Sequence, residues 1–406
     1  MRRYLFIAAI VIVVLGLGVA AYFYLFPGTA GVTTAPGTPA TLPTAGQAGV
    51  PGTTGAAGQT SGAGGTSSTP GVPTPVSSRL TKISPGPVVP GEAVTDQKAA
   101  NATSTAGVTV TYIERESGNV FAYSASTRTL TRTSNRTLPG IQSALWLPDA
   151  SFALVRYLSG IDSSTINTYA LPAGGTGGFF LPQNLADLSV SSTNILSLAS
   201  GVNGSTASLS RTDGTRSTTI FSSPLSALRI SFAGKQYLAT TKPAATLPGY
   251  AFLVDSAGHF SRVAGPLNGL VALASPSGKW LLASYMLGTS MQLELVNIAT
   301  GEATPIPVAT IADKCVWAAD DSAAYCGIPM DPPTGFTYPD DWYQGAVQFS
   351  DRIWKIQVSG RYAQLVIDFS KDTKDLFDVE SPAVDPSNST LVFVNKNDGS
   401  LWSYSL

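Results

Sequence analysis

Hydrophobic and polar positions divide the chain into three unlike textures. Residues 4–26 form one unbroken apolar run, YLFIAAIVIVVLGLGVAAYFYLF. Residues 27–78 carry no charged side chain and consist almost entirely of Gly, Thr, Ala, Pro, Ser and Val. From Arg79 onward, short β-branched and aromatic runs alternate with clusters of Gly, Pro, Asn, Asp and Ser, and no segment sustains a helical period. Short strands at regular spacing with turn signals between them predict an all-β sandwich, barrel or propeller.

An internal repeat decides among these. The stretch Leu145-Trp146-Leu147-Pro148-Asp149-Ala150-Ser151-Phe152 returns as Leu273-Ala274-Ser275-Pro276-Ser277-Gly278-Lys279-Trp280. It returns again from Val316 to Tyr325 and from Ala383 to Val392, with weaker copies at 188–198 and 228–238. Each copy is strand, Pro/Asp/Gly-type turn, strand. The spacing of roughly 40 to 45 residues is that of one four-stranded propeller blade. Blade bodies beginning near Pro87, Ile141, Leu185, Leu225, Asn268, Ala312 and Phe377 predict a seven-bladed β-propeller over residues 79–406. The last blade shows only three strands of its own. Residues 79–84, RLTKIS, have no blade and are expected to complete it by pairing with Leu401 to Tyr404. Such closure removes the open edge of a ring.

The repeated turns resemble the Trp-Ser-Pro-Asp-Gly-Lys signature of TolB-type, WD-repeat-like bacterial β-propellers. The resemblance covers residues 79–406 and implies a fold, with almost nothing about activity. As a whole the chain is similar to membrane-anchored propeller proteins of environmental bacteria.

At about 1.5 Å per residue, residues 4–26 span roughly 34 Å as a helix, enough to cross a hydrocarbon core. Arg2 and Arg3 precede the run and the next charge is Arg79. The positive-inside rule then leaves the N-terminus in the cytoplasm and exports the rest. A cleaved signal peptide has a shorter apolar core and a small-residue cleavage site, which this run lacks. Residues 1–26 are therefore expected to be cytoplasmic arginines followed by a single-pass transmembrane anchor helix in the lipid bilayer. The stretch 27–78 is too poor in apolar surface to offset backbone ordering, so a disordered linker is expected there. The expected location of the propeller is extracytoplasmic, periplasmic or at the cell surface. Gly16-Leu17-Gly18-Val19-Ala20-Ala21 matches a dinucleotide fingerprint in letters only, since it lies inside the apolar run rather than between a strand and a helix.

Charge narrows the function classes. Lys plus Arg number 24 and Asp plus Glu 25, so there is no basic excess of the kind nucleic-acid binders carry. The one histidine, His259, sits in a turn-like DSAGH stretch. No G-x-S-x-G elbow accompanies it, and no catalytic residue, cofactor or metal site is expected. Sequons at Asn101, Asn135, Asn203 and Asn388 are common by chance in a Ser/Thr-rich chain.

Two features carry candidate chemistry. Cys315 and Cys326 flank the turn Ala319-Asp320-Asp321-Ser322. With Ala318 and Ala323 as the closing pair, they face each other at a non-hydrogen-bonded position, about 4.5 Å apart at Cα. That separation is within disulfide range, and an exported domain is in an oxidising compartment. The alternative is a pair of buried free thiols. Beyond them, residues 329–351 form an insertion between the second and third strands of the sixth blade. It gathers Phe336, Tyr338, Trp342, Tyr343 and Phe349 with Asp331, Asp340, Asp341 and Asp351. Aromatic faces beside carboxylates suit sugars, peptides or cationic groups; the competing reading is a long loop packed down by its own aromatics. Adjacent Asp340 and Asp341 make a poor glycosidase pair, and no Asp-x-Asp-x-Asp-Gly calcium loop is present. Tyr338, Asp340, Asp341, Trp342 and Tyr343 are the expected binding surface, at the tip of a loop whose root the cysteines pin. The chain then reads as a binding or scaffolding module for a protein or glycan partner. A carbohydrate-active hydrolase or lyase, and a purely structural envelope component, are the rivals.

Overall fold

The computed structural model describes residues 72–97 and 107–406. The expected anchor, 4–26, and most of the expected linker lie outside the described residues. Among the described residues no helix is long and apolar enough to cross a membrane.

Among the described residues seven antiparallel sheets make up the fold, six of four strands and one of five. The first strands of blades 1 to 7 are Ala93–Gln97, Ile141–Trp146, Leu185–Val190, Leu228–Ala233, Val271–Ala274, Cys315–Trp317 and Val379–Val384. In blades 1 to 6 the next strands follow outward in chain order, and in blade 7 the second and third do. First strands touch one another in five of the seven successive blade pairs, so they line the central channel of a seven-bladed propeller. Each opens on the face where the blades connect and where second strands turn into third strands.

Burial follows from this geometry. A second strand is covered on both faces by neighbouring blades, and Thr390–Asn395 and Ala323–Pro329 are buried at every position. Hydrophobic clusters accordingly sit between blades. One joins blades 6 and 7 through Tyr325, Ile353, Phe377, Phe393 and Trp402. Another joins blades 7 and 1 through Val392, Val394, Val110 and Tyr123.

The ring closes as its strand inventory predicts. Leu80–Ser84 pairs with the last strand, Leu80 opposite Tyr404 and Lys82 opposite Trp402. Leu80 and Ile83 are fully buried. Burying two such side chains stabilises by roughly 3–6 kcal/mol, a large part of the 5–15 kcal/mol of a typical domain. The fold begins earlier than expected, however. Thr74–Pro75 pairs with Thr81 and Lys82 as a fifth strand of blade 7, so the end of the stretch expected to be linker belongs to the propeller. Backbone pairing alone accomplishes this, with exposed side chains, and so left no hydrophobic signal in the sequence.

The repeated turns have two physical jobs. The turn position filled by Gly278 has φ of 73°, and Ala150, Asp321 and Asn388 adopt the same left-handed conformation at 56°, 60° and 56°. Gly278 also has no room for a Cβ, which would come 2.5 Å from the Ala233 carbonyl oxygen. The turns further lock neighbouring blades. Trp146 and Trp317 donate their indole N–H to carbonyls of the preceding blade, Gly91 and Leu273, each at 3.2 Å. Asp321 accepts from Ser275 Oγ at 2.7 Å and from the Ser277 N–H at 3.1 Å.

Candidate functional site

The insertion begins where the second strand of blade 6 ends at Pro329 and finishes where the third starts at Asp351. At its root Cys315 and Cys326 are directly opposed and joined by a disulfide, with Cα atoms 4.0 Å apart. Its middle folds into a one-turn helix, Asp340–Tyr343. This segment turns inward over blade 5 and reaches blade 4, where Asp340 Oδ2 accepts the Ala245 N–H at 2.7 Å.

The structure therefore brings the five expected binding residues together but uses them as anchors. Asp341 accepts the Thr337 N–H at 2.6 Å and so closes the turn before the helix. The Tyr338 hydroxyl donates to the Pro333 carbonyl at 2.7 Å. Tyr338 and Trp342 are only 4% and 3% exposed, packed with Val271, Ile311, Val347 and Phe349. The expectation that the aromatic tip stands free fails at these two residues. Their rings have more apolar surface to bury against blade 5 than water would leave favourable. Outward-facing aromatic surface comes instead from Phe336, 41% exposed, and Tyr343, 40% exposed.

Beneath the insertion lies a fully buried ion cluster. Lys314 comes from the 3₁₀ turn Ala312–Lys314 just before the first strand of blade 6. Its ammonium contacts Asp351 Oδ2 at 2.8 Å, the Asp378 carboxylate, and the Val379 carbonyl at 3.0 Å. The cation lies 4.8 Å from the Trp342 ring centroid and 5.0 Å from that of Phe349. Asp378 accepts the Trp342 indole N–H at 3.1 Å and the Phe349 N–H at 3.1 Å. Asp351 Oδ2 also accepts the Val379 N–H at 2.6 Å. Burial pushes the Asp351 carboxyl up to about 6; Lys314 pulls it back and Asp378 adds to the rise. Lys396, from blade 7, also stacks on Trp342, 3.7 Å from its centroid. The ring thus contacts two cations, which favours both its burial and its orientation.

Toward the channel, a polar ledge spans its mouth. Arg229 on the first strand of blade 4 forms a bidentate pair with Asp313, at 2.9 and 3.1 Å. The Tyr343 hydroxyl donates to the same carboxylate at 2.7 Å. Although one face of Tyr343 is exposed, its hydroxyl end is enclosed, and burial with the nearby Asp313 charge pushes the phenol well above its ordinary range. Burial lowers the Arg229 guanidinium, but Asp313, Tyr343 and Asp187 outweigh it and the net shift is upward.

Deeper in the channel, Glu92 precedes the first strand of blade 1 and is 9% exposed. Neither of its carboxylate oxygens has a hydrogen-bond partner. Burial, reinforced by the Glu380 charge, raises its carboxyl well above the usual range.

Sequence reasoning had counted Asp351 among the insertion's acids and had missed Lys314, Asp378, Glu92, Arg229 and Asp313. A signal was present in the repeat. For two of them, blades 6 and 7 carry Lys314 and Asp378 at the position just before the first strand, where blades 2 to 5 have Gly140, Asn184, Ala227 and Leu270.

No protein-family model matches the chain, and no curated protein matches it. Solved structures do. An oligogalacturonate lyase in complex with manganese superposes with a TM-score of 0.53 at 12% identity, covering 80% of this chain and 93% of that one. The oligogalacturonate lyase of Vibrio parahaemolyticus gives 0.52 at 10% identity, with the same coverage. TolB from Acinetobacter baumannii gives 0.42 at 12% identity, over 78% of this chain and 80% of that one. At these identities the likeness to the two lyases shows the propeller fold alone. Among the described residues no three His, Cys, Asp or Glu side chains are placed together to hold a metal ion, so the residues present do not fit the manganese of the first neighbour.

Proposed function

We propose that the chain is a binding or scaffolding module, anchored by residues 4–26 and displayed outside the cytoplasm, whose partner is a protein or glycan. The observation that carries this reading is the rigidity of the insertion. A disulfide, a buried ion cluster and a hydrogen bond to blade 4 fix it as a platform. Met330, Phe336 and Tyr343 stand exposed on it. A preorganised surface with exposed aromatics binds without first paying an ordering cost. The disulfide supports an oxidising compartment.

The test is photo-crosslinking in intact cells, with full-length protein carrying a crosslinking residue at position 336 or 343. Position 149, in a turn on the opposite face, serves as control. A discrete adduct from 336 and 343 and none from 149 is expected. Equal labelling from all three positions, or none, overturns the proposal.

A second reading, a carbohydrate-active hydrolase or lyase, is favoured by the convergence of Arg229, Asp313 and Tyr343 at the channel mouth. Acidic oligosaccharides are the substrates to try, since two structural neighbours are oligogalacturonate lyases. Product formation that Arg229→Gln abolishes would establish it.

A further inference from the structure

The central channel holds a site separate from the insertion. A cavity of about 250 Å³ occupies it, walled by residues of blades 1, 2, 6 and 7. Trp146 and Trp317 line two of its sides. Both indole N–H groups are already spent on the carbonyls of Gly91 and Leu273, so what these residues offer an occupant is aromatic surface. Pro148, Ala319 and Pro386, from turns that follow first strands, form the rim and are exposed. The cavity therefore opens on the face opposite the insertion.

Glu92 is the only ionisable side chain lining it, among the described residues. It is more than nine-tenths buried and both of its carboxylate oxygens lack a partner. Leaving such a group unsatisfied is costly, and native structures rarely do so without a water, an ion or a ligand to complete it.

We propose that the cavity is a binding site for a small organic cation, an alkylammonium whose N–H groups bond Glu92 and whose carbon body packs against Trp146 and Trp317. Three observations select this chemistry. The unmet group is an acid, so it calls for a donor, and a positive one most of all. The remaining walls are aromatic and aliphatic, which suits alkyl groups on a cation and repels a hydrated metal ion. The volume lies below the roughly 300–1,000 Å³ of sites for drug-sized ligands, so the occupant is of fragment size. Burial and the Glu380 charge raise its carboxyl well above the usual range, against the pull of the Glu92 and Gly91 backbone N–H groups. A cation beside it favours the ionised form, so a proton held there should be released on binding.

The experiment is calorimetric titration of the full-length protein in detergent with butylammonium, and with neutral butanol as its isostere. Saturable one-to-one binding of the amine is expected, at least tenfold tighter than butanol. Its enthalpy should vary with the ionisation heat of the buffer, the mark of proton release. Glu92→Gln should weaken the amine at least tenfold, while Phe336→Ala on the platform leaves it unchanged. Should Glu92→Gln fold poorly, Trp317→Phe gives a second variant with an expected loss of a few fold. Absence of saturable amine binding to the wild type, equal binding of butanol, or unchanged affinity in Glu92→Gln overturns the proposal. A failure here leaves the crosslinking result at 336 and 343 untouched.

Discussion

Blades 6, 7 and 1 bury carboxylates under the insertion and in the channel, and these two places are built in opposite ways. Under the insertion, Asp351 and Asp378 face Lys314, two backbone N–H groups and the Trp342 indole. In the channel, neither Glu92 carboxylate oxygen has a hydrogen-bond partner of good geometry, and only the backbone N–H groups of Gly91 and Glu92 itself lie near it. The first arrangement pairs every carboxylate oxygen but Asp351 Oδ1 within the chain and fixes a loop. The second is incomplete without something from outside. A buried charge that the fold satisfies is architecture, whereas one that the fold leaves open points to a partner.

The largest expected effect tests the paired region. Lys314→Met removes the cation and leaves two carboxylates buried without it, a change that typically costs about 3–5 kcal/mol. Chemical denaturation should show that loss. Glu92→Gln, by contrast, removes an acid that had no partner, so stability should be unchanged or rise. If Lys314→Met is mild, or Glu92→Gln severe, the contrast between the two regions collapses.

Trp342→Ala comes next. Truncating a buried Trp costs about 3–5 kcal/mol, and the melting temperature should fall sharply. Trp342→Phe keeps most of the ring and deletes the N–H to Asp378. It isolates the hydrogen bond, worth about 1–3 kcal/mol when a charged acceptor is stranded. Equal losses for the two variants would show that the indole N–H outweighs packing.

That result bears on what the sequence could tell. Blade number, ring closure through residues 80–84 and the opposition of Cys315 and Cys326 all depend on repeat spacing and strand alternation, which are local patterns. The direction in which the insertion faces depends on what lies under it. Trp342 and Tyr343 are adjacent and both aromatic, yet one is buried against Lys314 and Lys396 and the other half-exposed. Those two lysines are 28 and 54 residues away from Trp342 along the chain, and nothing in the insertion announces them. Glu92 was equally silent, because a lone Glu before a strand looks solvated until seven first strands enclose it.

A pH experiment compares both regions at once. Asp351, pushed up to about 6, Glu92 and Glu380 all have raised folded-state values, burial being the first cause in each. The folded chain therefore holds more protons than the unfolded chain between the ordinary carboxylate range near 4 and these raised values. Their contribution is present below that range and is lost as pH rises through the raised values. Asp385 runs the other way, its carboxyl held down by Ser387, Thr390 and Ser389 against the effect of burial, but its loss comes only in stronger acid. Stability should thus be greater at pH 5 than at pH 7.5, by on the order of 1–3 kcal/mol. Glu92→Gln should reduce the slope, and saturating amine should reduce it further in the wild type by stabilising the ionised form. A flat profile between the two pH values would contradict the burial of both regions.

The smallest expected effect separates fold from site at the cavity rim. Ala150 follows Pro148 by two residues and holds φ at 56°, a conformation that costs an L-residue roughly 1–2 kcal/mol. Glycine adopts it freely, at an entropic cost in the unfolded chain of about 0.5–1 kcal/mol. Ala150→Gly should therefore stabilise by up to about 1 kcal/mol, seen as a rise of a few degrees at most in melting temperature. Gly278→Ala, at the matching turn of blade 5, should do the reverse and by more, since its new Cβ meets the Ala233 carbonyl. The turn at Ala150 belongs to the repeat, and its left-handed residue makes no contact that an occupant of the channel needs. Amine affinity should then be the same in Ala150→Gly as in the wild type. A changed affinity would mean that the strain at Ala150 holds Pro148 in place for the ligand, and that the rim of the cavity is part of the site rather than only part of the blade.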